Sequence, residues 1–233
     1  MGKLESAERA KKFGLIALLI IIIQLIATQS VFHLHKRILT VFVVQFFYWF
    51  VPFFIVYIVE ERGIKSLGIT LKWEKSVSYL LYTVLGIILS TVVFALSVYL
   101  RIHLAKENME GLFSLRFNIL QAIFIQIIGV GVPEELFFRG YLMTRFCNWL
   151  GDTRGLLLNG FIFGIGHIIH RISLHGFDYT FPAILIGVDT FIAALVFGYI
   201  YLKTKSLLPC ALTHIFSNTF GVQIIQMLKS LLI

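Results

Sequence analysis

Two adjacent carboxylates, Glu134 and Glu135, close the apolar run Phe117–Val132, with Arg139 one helical turn further on. A charge near the centre of a membrane helix costs about 2.5–3.5 kcal/mol on insertion scales, so ionisable groups placed there are candidates for function. Glu135 and Arg139 are four apart and share a helix face, which allows a structural ion pair. Glu134 points about 100° away from its neighbour and needs another partner. Later in the chain, His167 follows Phe163 and Asn159 at helical spacing, and His214 precedes Asn218 by four residues. Lipid tails offer no hydrogen bonds, so these polar clusters are expected to meet inside the protein.

A carboxylate and a histidine can hold and deprotonate a water that attacks a peptide carbonyl. A second histidine and an amide can then stabilise the oxyanion that forms. These residues leave open which glutamate is the base. A zinc site built from Glu134, His167 and His214 is the alternative, although the H-E-x-x-H pattern is absent because no histidine is followed by glutamate. No serine stands in a glycine-flanked nucleophile setting. Asp189 falls in an apolar run, but its nearest candidate partner for an aspartyl dyad, Asp178, falls in a predicted loop.

The elements that must carry these residues are long apolar segments. The 233-residue chain is 58% hydrophobic and 14% charged, has 23 Phe, and has a mean hydropathy of +0.90. That composition predicts an all-α, polytopic transmembrane bundle of about seven to eight spans. The predicted spans are 13–32, 38–59 (with Pro52 as a kink), 77–100, 116 into the glutamates, 156–169, 181–202 and 207–228. The fourth continues as an amphipathic helix to Trp149. Gly129, Gly131 and Pro133 weaken it just before Glu134, which calls for protein or a water cavity to satisfy the loosened backbone. Gly160 and Gly164 predict close helix packing. Residues 60–76 read as an interfacial segment with Trp73 at headgroup level, and Glu60 and Glu61 within it read as a solvated pair.

The net charge of +8 comes from basic residues at span ends rather than from a basic stripe, which argues against nucleic acid and for membrane lipid as a partner. Counted by alternating sides, 13 Lys and Arg fall on the side of the N-terminus and 7 on the other, which predicts a cytoplasmic N-terminus. The localisation expected is a multi-pass protein, in the cell membrane if the source is prokaryotic. Cys147 and Cys210 match neither a disulfide framework nor a zinc spacing.

Glu134-Glu135-x-x-x-Arg139, Phe163-x-x-x-His167 and His214-x-x-x-Asn218, in that order, resemble the three motifs of the CAAX protease and bacteriocin-processing family of glutamic intramembrane endopeptidases, which includes the Rce1-like prenyl-protein proteases. Residues 203–214 resemble the family's entry into its last motif. The resemblance covers about 112–233, read as a catalytic helical core, with 1–111 as an N-terminal transmembrane and interfacial region. It implies an intramembrane endopeptidase acting near the cytoplasmic face. Glu134 would activate water with His167, His214 and Asn218 would form the oxyanion pair, and Glu135 and Arg139 would fill the remaining motif positions. It implies no cofactor, and as partner a peptide or protein substrate, such as a prenylated C-a-a-X chain or a leader peptide. The alternatives are a non-proteolytic immunity or membrane-binding scaffold and a proton-coupled transporter; oligomeric state is not legible.

Overall fold

A computed structural model describes residues 6–34, 37–111 and 118–227. The described residues form helices and connecting turns without strands. Seven long helices carry the fold: α1 (Ala7–His33), α2 (Ile38–Val59), α3 (Ser76–His103), α4 (Ile119–Leu150), α5 (Asp152–His175), α6 (Thr180–Thr204) and α7 (Leu207–Met227). The first six are long and apolar enough to cross a membrane, and much of their apolar surface faces outward as lipid contact requires. The protein is an integral membrane protein. The expected break at His35–Lys36, the start of the fourth span at Arg116, the boundary at 111/112 and the end of the last span at Leu228 fall wholly or partly outside the described residues.

Local chemistry explains where the helices start and loosen. Ser6 caps α1 by accepting from the Arg9 amide, and Asn118 caps α4 by accepting from Leu120 and Gln121. In α2 the predicted kink at Pro52 is spread over two π-helical turns, Phe46–Phe50 and Ile55–Val59, on either side of it. Helix α5 runs six residues past its predicted end at Ile169, so the polar stretch at His170 is helix rather than loop. The interfacial segment contains two short 3-10 turns, and Trp73 is exposed there.

Small residues set the close packing. A Cβ on Gly164 would sit 2.7 Å from the Gly187 carbonyl oxygen, so α5 and α6 meet backbone to backbone at the predicted pair. Gly86 lets α3 approach both α6 and α7, since its Cβ would meet Ile200 and Thr213.

The two ends of the bundle are held differently. At the end carrying the N-terminus, Glu60 is fully buried and takes a bidentate pair from Arg145, at 2.9 and 2.6 Å, while Arg9 donates to the Glu60 carbonyl. This corrects the reading of Glu60 and Glu61 as a solvated pair: only Glu61 is exposed. The buried guanidinium of Arg145, 85 residues away, supplies the charge that lets the Glu60 carboxylate leave water. At the opposite end Arg101 grips Glu107 with two bonds of 2.7 Å, and the Tyr179 hydroxyl donates to the same carboxylate at 2.6 Å.

Candidate active site

Helix α4 is broken where its sequence is weakest. Its first part ends at Ile128, and a second begins at Gly131, leaving Gly129 and Val130 between them. Two carbonyls at the break are taken up by α2: Trp49 Nε1–H donates to Ile128 O at 3.0 Å, and Gln45 Nε2–H donates to Gly129 O at 2.6 Å. An interrupted helix at this depth is tolerated because protein donors replace the missing backbone bonds. The break delivers Glu134 and Glu135 at the start of the next segment, which continues as a π-helix over Leu136–Met143 with every residue buried. This segment is therefore not amphipathic as predicted; it is enclosed on all sides.

The two glutamates have different surroundings. Glu135 is fully buried. Its Oε1 accepts from Arg139 Nη1 at 3.0 Å and from His214 Nδ1 at 2.8 Å. Arg139, equally buried, lies between the rings of Phe163 and Phe197, 4.8 and 5.2 Å from their centroids. Its Nε and Nη2 have no hydrogen-bond partner among the described residues, so the ring faces provide the remaining stabilisation of the cation. Because a carboxylate can only accept, His214 carries its proton on Nδ1 and turns Nε2 toward Glu134, 3.9 Å from Oε2. The Phe197 ring lies beside the His214 imidazole, centroid to centroid 5.2 Å.

Glu134 is partly exposed and makes no hydrogen bond to another described side chain. It lines a cavity of about 510 Å³ together with His167, His214 and Asn218, a volume in the range of small-ligand sites. His167 donates Nδ1–H to the Phe163 carbonyl at 2.9 Å, which leaves Nε2 as a free acceptor. Asn218 Nδ2 donates to Gln126 Oε1 at 3.0 Å. The four cavity-facing candidates thus share one space, with Glu135 and Arg139 behind them. Among the described residues, no group of three or more His, Cys, Asp or Glu side chains is gathered as a metal ion would need.

Sequence reasoning missed Gln126, which holds Asn218, and Gln45 and Trp49, which hold the break open. None carries a charge that would mark it out in an apolar run. Asn159, one turn before Phe163, donates to the Phe138 carbonyl at 3.0 Å and fixes the π-helical segment rather than facing the cavity.

The cavity reaches from Glu134 toward the end of the bundle that carries Arg101, His170 and Arg171, away from the N-terminus.

Comparison with curated proteins and with solved structures finds no significant match. Residues 116–220 match the family model described as "Type II CAAX prenyl endopeptidase Rce1-like". That stretch, somewhat under half of the chain, holds all seven residues of the three motifs, and over it the chain is similar to the Rce1-like membrane proteases.

Proposed function

We propose that the protein is an intramembrane endopeptidase in which Glu134, with His167, activates a water that hydrolyses a peptide bond. Carboxylate and imidazole lone pair would share the water and take its proton. The Nε2 of His214, once protonated, and the Asn218 amide would face the oxyanion. Glu135 acts through His214: it fixes the tautomer and turns Nε2 to the cavity, much as a buried carboxylate does in a triad. The proton lost by water would pass to the leaving amine, so no covalent intermediate is needed.

The observation that carries this reading is the contrast between the two glutamates. Glu135 Oε1 accepts from both Arg139 and His214 in a fully buried position, whereas Glu134 faces the shared cavity with no hydrogen-bonded side-chain partner. A scaffold that kept its polar groups for folding alone would pair both. Purified protein incubated with a labelled peptide tests the proposal. Cleavage that survives a chelator supports the metal-free chemistry, and loss of cleavage on chelation, restored by zinc, would move the assignment to zinc held by Glu134, His167 and His214.

On sidedness we carry the charge asymmetry. Arg9, Lys11, Lys12, Arg62, Lys65, Lys72, Lys75, Lys203 and Lys205 lie at the N-terminal end, and such an excess is retained in the cytoplasm. The catalytic cavity then opens on the other face, and the substrate is a chain presented from that side. Cleavage at the cytoplasmic face would require the whole bundle to be inverted.

A further inference from the structure

We propose that Gln126 is a positioning residue of the site: its side-chain oxygen holds the Asn218 amide so that a donor faces the oxyanion. The proposal rests on the peptidase reading and adds to it a residue outside the three motifs, one that acts through Asn218.

A primary amide carries two N–H donors at one end and an acceptor oxygen at the other. Its terminal torsion is broad and roughly two-fold, so an unheld Asn218 would present either end to the cavity. The oxygen end repels a developing negative charge, and only the N–H end stabilises it. Asn218 Nδ2–H donates to Gln126 Oε1 at 3.0 Å, and both residues line the cavity. That bond uses one of the two donors, turns the nitrogen end toward α4 and leaves the second N–H for a bound ligand. His214, one turn earlier on α7, also turns Nε2 toward α4, 3.9 Å from Glu134 Oε2. Each member of the oxyanion pair thus has its own acceptor on α4: Glu135 for His214 and Gln126 for Asn218.

The break in α4 is what lets Gln126 reach α7. Gln126 stands near the end of the first part of α4, between Ile125 and Ile127, both exposed toward lipid. A side-chain amide in such a run needs a protein partner. A Cβ on Gly131 would lie 3.1 Å from Ile215 Cγ1 and 3.4 Å from Gln126 Oε1. The bare backbone of Gly131 therefore lets the Gln126 side chain and α7 close together across the gap, three residues before Asn218. Because Gln45 and Trp49 hold the same gap from α2, the Asn218 amide is set by the break as a whole.

The test uses the full chain in detergent and an internally quenched peptide of alternating alanine and leucine, with kcat, KM and melting temperature measured for each protein. Gln126→Met keeps the length of the side chain and removes the acceptor. It should lower kcat about ten- to a hundredfold at nearly unchanged KM, the mark of an interaction made only in the transition state. Asn218→Leu should lose more, about 10²–10³-fold, as when an oxyanion donor is removed outright. Adding Gln126→Met to Asn218→Leu should cost nothing further, since Gln126 acts only through that amide. Gln126→Glu, which keeps an accepting oxygen, should recover part of the loss. A Gln126→Met protein with the parent's kcat, a loss carried by KM, or a full further loss in the Asn218→Leu background overturns the positioning role. A bond that serves packing alone would lower the melting temperature and leave kcat in place. If Gln126→Met does not fold, Gln126→Asn decides, because its amide is one methylene too short: kcat at the parent's level overturns the role. A parent that does not cleave removes the peptidase reading, and the pair is then judged by melting temperature. A joint loss for Gln126→Met with Asn218→Leu smaller than the sum of the single losses keeps the contact, and additive losses overturn it.

Discussion

At the scale of single residues, the site separates a glutamate that faces the cavity from one held among buried partners. Glu135, Arg139 and His214 form a buried, mutually dependent set, and removing one partner strands a charge. Glu135→Ala should destabilise the protein by about 3–5 kcal/mol, visible as a lower melting temperature in detergent. Glu60→Ala should cost a similar amount, because Arg145 would be left buried without its acid. Glu107 responds to pH in a defined direction. Partial burial raises its pKa, but hydrogen bonds from Arg101 and Tyr179 and the charges of Arg101 and Arg171 outweigh that, so the carboxyl sits below its ordinary range. A group depressed in the folded state contributes stability above its unfolded pKa of about 4.3 and loses it as pH falls through the lower folded value. Thermal stability should therefore drop on acidification below about pH 4, and Glu107→Gln should flatten that part of the profile.

At the scale of elements, the interruption of α4 is the decisive feature, and close approach at Gly140 secures it. A Cβ there would lie 2.6 Å from the Leu67 carbonyl oxygen, so Gly140→Ala should destabilise by about 1–3 kcal/mol through overpacking. The spans, the weak point at Gly129–Pro133 and the three motif clusters were legible in the sequence, because apolar run length and helical spacing are local signals. What stayed hidden depends on distant partners. Glu60 reads as solvated until Arg145 is seen against it, and Gln45 and Trp49 read as ordinary interior residues until the free carbonyls of α4 are placed beside them. The polarity of His170 and Arg171 predicts an end of helix α5 near Ile169. They continue the helix because they line a cavity instead of entering lipid.

At the scale of the molecule, the fold ties sidedness to function, since the cavity and the N-terminus lie toward opposite ends of the bundle. Native Cys147 and Cys210 are buried, so single introduced cysteines can report topology. In intact cells, a membrane-impermeant maleimide should label Glu110→Cys and spare Lys72→Cys; the opposite pattern would place the cavity on the cytoplasmic side. The central claim, that Glu134 activates the water while Glu135 builds the site, is tested most directly by peptide cleavage with purified parent, Glu134→Gln and Glu135→Gln proteins, each paired with its melting temperature. The account predicts that Glu134→Gln keeps the parent's stability and loses cleavage by about 10²–10⁴-fold, whereas Glu135→Gln loses both. A folded Glu134→Gln protein that cleaves at the parent's rate would contradict it.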